Sequence, residues 1–93
     1  MKILQSRSFE KKVKRLGKRG KKMLDKQIKS ILEDPALGQE KKGDLPGVFI
    51  HKFMVHTTQY LLSYRFVDDA LELIVIGPHE NYYRDLKAYL MSR

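Results

Sequence analysis

Residues 60–79 read YLLSYRFVDDALELIVIGPH, and the rest of the chain organises around their pattern. The run 60–67 is rich in aromatic and branched side chains, Asp68-Asp69 supplies a tight turn, and Leu71 to Ile76 forms a return strand apolar enough for the middle of a sheet. Upstream, VFIHKFMV (48–55) has the same character and is joined to the first run by His56-Thr57-Thr58-Gln59, short enough for a hairpin. Three strands in antiparallel meander follow. The last of them stops at Gly77-Pro78 and delivers His79.

The N-terminal half carries helical spacing. Ser6 or Ser8 can cap a first helix in which Phe9, Val13 and Leu16 recur at i, i+4 and i+7, with Gly17 and Gly20 bracketing the break after it. A second helix is predicted from about Lys21, with Leu24, Ile28 and Ile31 on its apolar side and Met23 and Leu32 beside them. Asp34-Pro35 stops it, because proline disfavours helical geometry in the residue before it. Ala36 to Gly47 reads as a connecting loop, and Met1 to Gln5 as a short strand closing one sheet edge. After Pro78, Tyr82, Leu86 and Tyr89 or Leu90 fall on one side of a short last helix. The expected architecture is α+β: two helices on one face of a small antiparallel sheet of about four strands, in one domain spanning residues 1–93.

Composition narrows the chemistry. The 93 residues include no cysteine, which removes disulfides and thiolate catalysis, and the three histidines lack paired ligand spacing, so no metal or cofactor is expected. Neither a signal peptide nor an apolar span of about 20 residues is present, and a cytoplasmic location with no membrane contact is expected. Charge is uneven. Residues 1–30 hold twelve of the nineteen Lys and Arg against only Glu10 and Asp25, whereas the remainder is slightly acidic and the whole chain carries +8. A polyanion along that basic face would relieve its self-repulsion by releasing counterions, and Lys11, Lys14, Arg15, Lys18, Arg19, Lys21 and Lys22 are the candidate contacts, with Arg84 near the other end. A solvated lysine-rich helix pair, or one facing an acidic protein, has the same signature.

Histidine titrates closest to neutral pH, and a strand end fixes its position well, so His79 is the candidate proton-transfer group; a hydrogen-bonded turn residue is the plain alternative. Strand alternation sets Tyr60, Leu62, Tyr64 and Phe66 toward a core and Leu61, Ser63, Arg65 and Val67 away from it. Arg65 is therefore a candidate phosphate clamp. In the preceding strand His51, Phe53 and Val55 share one side and Ile50, Lys52, Met54 and His56 the other. Neither side is cleanly apolar, so Lys52, His51 and His56 stay open as site residues.

Taken in order, Leu61-Leu62-Ser63-Tyr64, Asp68-Asp69, Leu71-Glu72-Leu73, Gly77-Pro78-His79 and Tyr83 resemble the RelE/ParE family of bacterial toxin-antitoxin toxins over essentially the whole chain, and its YafQ-like branch most closely. The resemblance implies a RelE-like fold and metal-independent cutting of messenger RNA on the ribosome, in which the ribose 2′-hydroxyl attacks the adjacent phosphate. It implies that His79 is the acid or base and that Tyr83 stacks on a base or contacts phosphate. Departures are visible too: Val55 stands where YafQ-like members carry another histidine, Gln59 where they carry an acidic residue, and Leu61 where RelE-type members often place an arginine.

The resemblance leaves three functional classes open: the ribosome-dependent endoribonuclease, a ParE-like protein that poisons DNA gyrase without cutting RNA, and a non-catalytic interaction module. It also implies a cognate antitoxin, acidic and partly disordered when free, through which operator DNA could be bound.

Overall fold

The computed structural model describes residues 2–40 and 47–78 together with Leu86. Its elements run β1 (Lys2–Gln5), α1 (Arg7–Lys14), α2 (Gly17–Glu33), β2 (Gln39–Glu40), β3 (Phe49–Val55), β4 (Thr58–Val67) and β5 (Ala70–Pro78). One sheet contains all five strands in the order β1-β5-β4-β3-β2. The expected meander is there, with β3 pairing antiparallel to β4 and β4 to β5.

Two features depart from the sheet expected from sequence. β1 closes the edge but runs parallel to β5, so the sheet is mixed. Four residues carry no signal for strand direction; the chain must leave β1 directly into helices that cross the sheet, and this connection sets the orientation. The second departure is β2, two residues of the expected loop that pair with Phe49 and Ile50.

Turns follow local chemistry. Asp68 and Asp69 both have positive φ, 48° and 63°, the geometry a two-residue hairpin of the right twist requires, and aspartate tolerates it better than most residues. The β3–β4 hairpin is tighter than the sequence suggests. Thr58 and Gln59 already belong to β4, leaving His56 and Thr57 as the loop, with His56 at φ 57°.

Ser6 is the N-cap of α1: its Oγ accepts the amide of Phe9 at 3.0 Å. The break after α1 falls at Arg15 and Leu16, and Gly17, at φ 73°, opens α2 four residues earlier than expected. Gly20 therefore lies inside α2 and is buried, because Leu16 folds over it: a Cβ there would sit 2.8 Å from the Leu16 Cβ. α2 ends at Asp34, whose carboxylate accepts the amide of Ala36.

The helix-side core joins Phe9, Leu24 and Ile31 to Phe53, Val55, Leu62, Tyr64, Leu71, Leu73 and Ile76 of the sheet. Tyr64 is fully buried, and its hydroxyl is used twice, accepting the amide of Gly38 at 2.8 Å and donating to the Pro35 carbonyl at 3.1 Å. It thereby pins the α2–β2 connection. Burial holds its phenol above the usual range.

The other sheet face is not simply wet. Val48, Ile50, Leu61, Ile74 and Val75 form a second core with Leu86, which is helical and fully buried. The rest of the expected C-terminal helix lies outside the described residues. Among the described residues no helix is long and apolar enough to cross a membrane.

The two cores meet at a β-bulge. Tyr64 pairs with Leu73 but Ser63 with Val75, so Ile74 is an extra residue in β5. It resets the alternation, letting Ile74 and Val75 serve the second core while Ile76 returns to the helix side. Two serines hold it. Ser6 Oγ donates to the Ile74 carbonyl at 2.6 Å, and buried Ser63 Oγ accepts the Val75 amide at 3.1 Å. Ser63→Ala leaves that buried amide without its partner and is expected to cost about 1–3 kcal/mol, measured by denaturant unfolding. Gly20→Val is expected to cost a similar amount or more, because the clashing atom is the first carbon of Leu16 rather than a flexible tip.

Candidate functional site

Strand pairing decides which candidates can act together. Lys52 of β3 pairs with Leu61 of β4, which pairs with Gly77 of β5, and the three form one cross-strand row on the second sheet face. Lys52 is exposed there, about 10 Å from Gly77 across two strand spacings. Pro78 and then His79 follow Gly77 in the chain. His79 itself, Tyr83 and Arg84 lie outside the described residues.

Arg65 is on the same face as Lys52, as its alternation predicts, but at the other end of the sheet. Four residues of β4 separate it from Leu61, about 13 Å of strand. Its Nε donates to Glu72 Oε1 at 2.6 Å, and the two side chains retain 26% and 12% of their exposure. An arginine so paired, so far from the Gly77 end, is poorly suited to clamp a phosphate beside His79; it neutralises Glu72 instead.

The histidines of the β3 region separate as well. His51 points to the helix side, opposite Lys52, and stacks near Phe53 at a centroid distance of 6.1 Å. Its Nε2 lies 2.6 Å from Gln27 Oε1 of α2, so this nitrogen carries the proton and donates. Burial lowers its pKa below the usual 6.5. This is a histidine that ties α2 to β3, away from the face of Lys52. His56 is exposed in the hairpin turn, one residue beyond Val55, which is buried in the helix-side core.

The basic residues Lys11, Lys14, Arg15, Lys18, Arg19, Lys21 and Lys22 are all exposed on α1, α2 and their junction. Lys12 differs from them in being half-buried. β1 pairs only with Ala70 to Leu73, and beyond it Ser6 and α1 lie against β5. There Lys12 reaches the strand end, its Nζ 3.5 Å from where a Gly77 Cβ would stand. Lys12 and Arg15 line a pocket with Tyr60 and the strand end Ile76 to Pro78, with Leu16 beside them. Sequence reasoning placed Arg15 among many surface cations and missed Lys12 and Tyr60. The only signal in the sequence was the i, i+3 spacing of Lys12 and Arg15, which nothing separated from the surrounding lysines.

A model of the ParE-like toxins of type II bacterial toxin-antitoxin systems matches residues 3–87. The chain belongs to this family. Solved structures share the toxin's fold at low identity. A chain of the intact E. coli RelBE toxin-antitoxin complex is 22% identical with a TM-score of 0.68, covering 85% of this chain and 96% of that one. A doubly substituted E. coli RelE toxin in the free state is 20% identical with a TM-score of 0.74, covering 99% and 95%. The isolated E. coli RelE toxin is also 20% identical, at 0.67, covering 99% and 98%. No curated protein matches the chain.

The toxin's His51 gives a pH prediction with a definite sign. A folded pKa below the unfolded 6.5 means that the unfolded chain takes up the proton first, so this stability is present above pH 6.5 and is lost as pH falls from there through the folded pKa. Chemical denaturation between pH 7.5 and 5 is expected to show falling stability, and His51→Gln is expected to flatten that slope.

Proposed function

We propose that this toxin is an endoribonuclease that cuts messenger RNA on the ribosome without a metal, and that His79 is its proton-transfer residue. The observation that carries the reading is the Lys52–Leu61–Gly77 row, which lines up an exposed cation with the strand end that leads into His79. In such a reaction a base removes the 2′-hydroxyl proton and the 2′-oxygen attacks phosphorus. The P–O5′ bond then breaks as an acid protonates the leaving oxygen. Lys52 supplies positive charge toward the developing phosphorane, and Tyr83 supplies an aromatic ring for a base. The exposed cations of α1 and α2 carry the surrounding RNA, whose phosphates they meet without reading sequence.

The partner proposed for the free toxin is an acidic antitoxin, supported by the family and by the net charge of +8. One structural relative was solved within an intact toxin-antitoxin complex, in keeping with that pairing.

A second reading rests on one specific observation. Leu61, in the centre of the row, is fully buried and apolar, and Arg65 is held by Glu72, so among the described residues the row itself offers a single cation. That arrangement suits a ParE-like gyrase poison acting through protein contacts. Inhibition of DNA supercoiling by purified toxin, with mRNA left intact in a translation extract, would decide for it.

For the nuclease reading, His79→Ala is expected to lower mRNA cleavage in a translation extract by about 10²–10⁴-fold. Lys52→Ala is expected to slow cleavage more than Arg65→Ala does. Undiminished cutting by the His79 variant, mapped by primer extension, would remove that residue from the chemistry.

A further inference from the structure

We propose that Met54 and Gln59 form a base-reading subsite beside Lys52, in which the Gln59 amide pairs with one base of the RNA and Met54 packs on the face of that base. The proposal rests on the nuclease reading and adds to it the group that selects where the toxin cuts.

The subsite is set by strand register. Met54 follows Lys52 by two residues in β3, and Gln59 precedes Leu61 by two in β4, so both lie on the sheet face of Lys52. They pair directly with each other, next to the Lys52–Leu61–Gly77 row. Side chains so opposed stand about 5 Å apart at Cβ, and Lys52 to Gln59 is a diagonal of about 7–8 Å, a gap that two long side chains can close on one nucleotide. Gln59 also precedes Tyr60, the partner of Pro78, which puts it at the end of the sheet from which the chain continues to His79.

All three side chains are within reach of a ligand. Met54 is 48% exposed, and Lys52 and Gln59 are exposed beside it. Among the described residues neither Lys52 nor Gln59 has a hydrogen-bond or ion-pair partner, unlike Arg65 on the same face. The side approach is open as well. β2 pairs only with Phe49 and Ile50, so among the described residues nothing pairs with the outer edge of β3 from His51 to Val55.

The chemistry fits a base rather than a phosphate alone. The cations of α1 and α2 meet phosphates without distinguishing sequence. A glutamine amide presents an acceptor and two donors in one plane, which matches a base edge that offers a donor beside an acceptor. In single-stranded RNA such edges are free to be read. Methionine, unbranched and polarizable, makes favourable contacts with an aromatic ring and adapts to its position. A base seated on Gln59 then fixes which phosphate lies at Lys52, so recognition and alignment are one event. Thr58 takes no part: it pairs with Val55, which is buried in the helix-side core, and so stands on the opposite face.

The test maps cuts by primer extension on mixed messenger RNAs in a translation extract, with wild-type toxin and with Gln59→Leu, Gln59→Glu, Met54→Ala and Thr57→Ala. Wild-type cuts are expected to share one base at a fixed distance from the cut. Gln59→Leu is expected to reduce that preference by about 5–100-fold, the value of one bidentate pair. Gln59→Glu, whose carboxylate only accepts, is expected to shift it toward guanine, whose Watson–Crick edge offers two adjacent donors. Met54→Ala is expected to raise KM by roughly 2–10-fold with the preference retained. Thr57→Ala, exposed in the same turn, is expected to leave the preference as it is. Binding is read separately, by titrating the four uncleavable 2′-O-methyl homotrinucleotides into full-length toxin and following the Gln59 side-chain amide and the Met54 methyl by NMR. Shifts at both groups are expected, largest for the preferred base.

Wild-type cuts that share no base, or a preference unchanged in both Gln59 variants, overturn the subsite. So does a Thr57→Ala variant that alters the preference as much, which would make the shape of the hairpin the cause. Equal shifts with all four homotrinucleotides also overturn it, since they would mean a solvated hairpin tip that meets RNA without reading it. Base-dependent shifts with no cutting by wild-type toxin remove the nuclease reading and leave the subsite, whereas normal cutting with none of these effects removes the subsite alone.

Discussion

The extra residue at Ile74 is where the molecule's two layers are joined. The same residues held in strict alternation, with no bulge, would turn Ile76 away from the helix-side core to the opposite face. The bulge restores that side chain to the core, and it sets Gly77 level with Leu61 and Lys52. The bonds that hold it come from distant parts of the chain: Ser6 from the start of α1 and Ser63 from the middle of β4. The same Ser6 oxygen caps α1, so the direction of that helix and the course of β5 are set by one side chain. Because α1 then lies against the end of β5, Lys12 comes to rest near Gly77. The geometry of the candidate site is thus a consequence of how a local irregularity is satisfied.

Charge follows a similar logic. Most cations of the first thirty residues lie on the outer surface of two helices whose inner sides supply Phe9, Leu24 and Ile31 to the core, so the basic layer is the complement of an apolar one. On the sheet the pattern differs. Arg65 is consumed by Glu72 in an ion pair that is largely shielded, whereas Lys52 remains exposed. Among the described residues, positive charge that a partner can reach therefore lies along the helices and at Lys52 rather than at Arg65.

Much of this was legible beforehand. Helix spacing, the Asp34-Pro35 stop and the three-strand meander all express short-range chemistry that a few residues encode. The inward set Tyr60, Leu62, Tyr64 and Phe66 does lie toward the helix-side core, because alternation holds through β4. The second core could not be read, since Leu61 and Ser63 look like the polar-side partners of Arg65 until Leu86 is seen to cover their neighbourhood. One signal was present and went unused: LELIVI abandons alternation after Leu73, which a bulge explains.

The sequence by itself determined the α+β class, the strand order along the chain, the basic character of the helices and the placement of a histidine just past the last strand. These depend on periodicity and on residues that break or turn the backbone within a few positions. Only the tertiary structure decided that β1 runs parallel, that His51 serves Gln27 under α2, that Arg65 belongs to Glu72 and that Lys12 meets Tyr60 at a pocket. Each of these is a contact between residues far apart in the chain. Which partner a charged or polar group finds is fixed by register, by one inserted residue and by the angle of a helix, and none of these is written in the group's own neighbourhood.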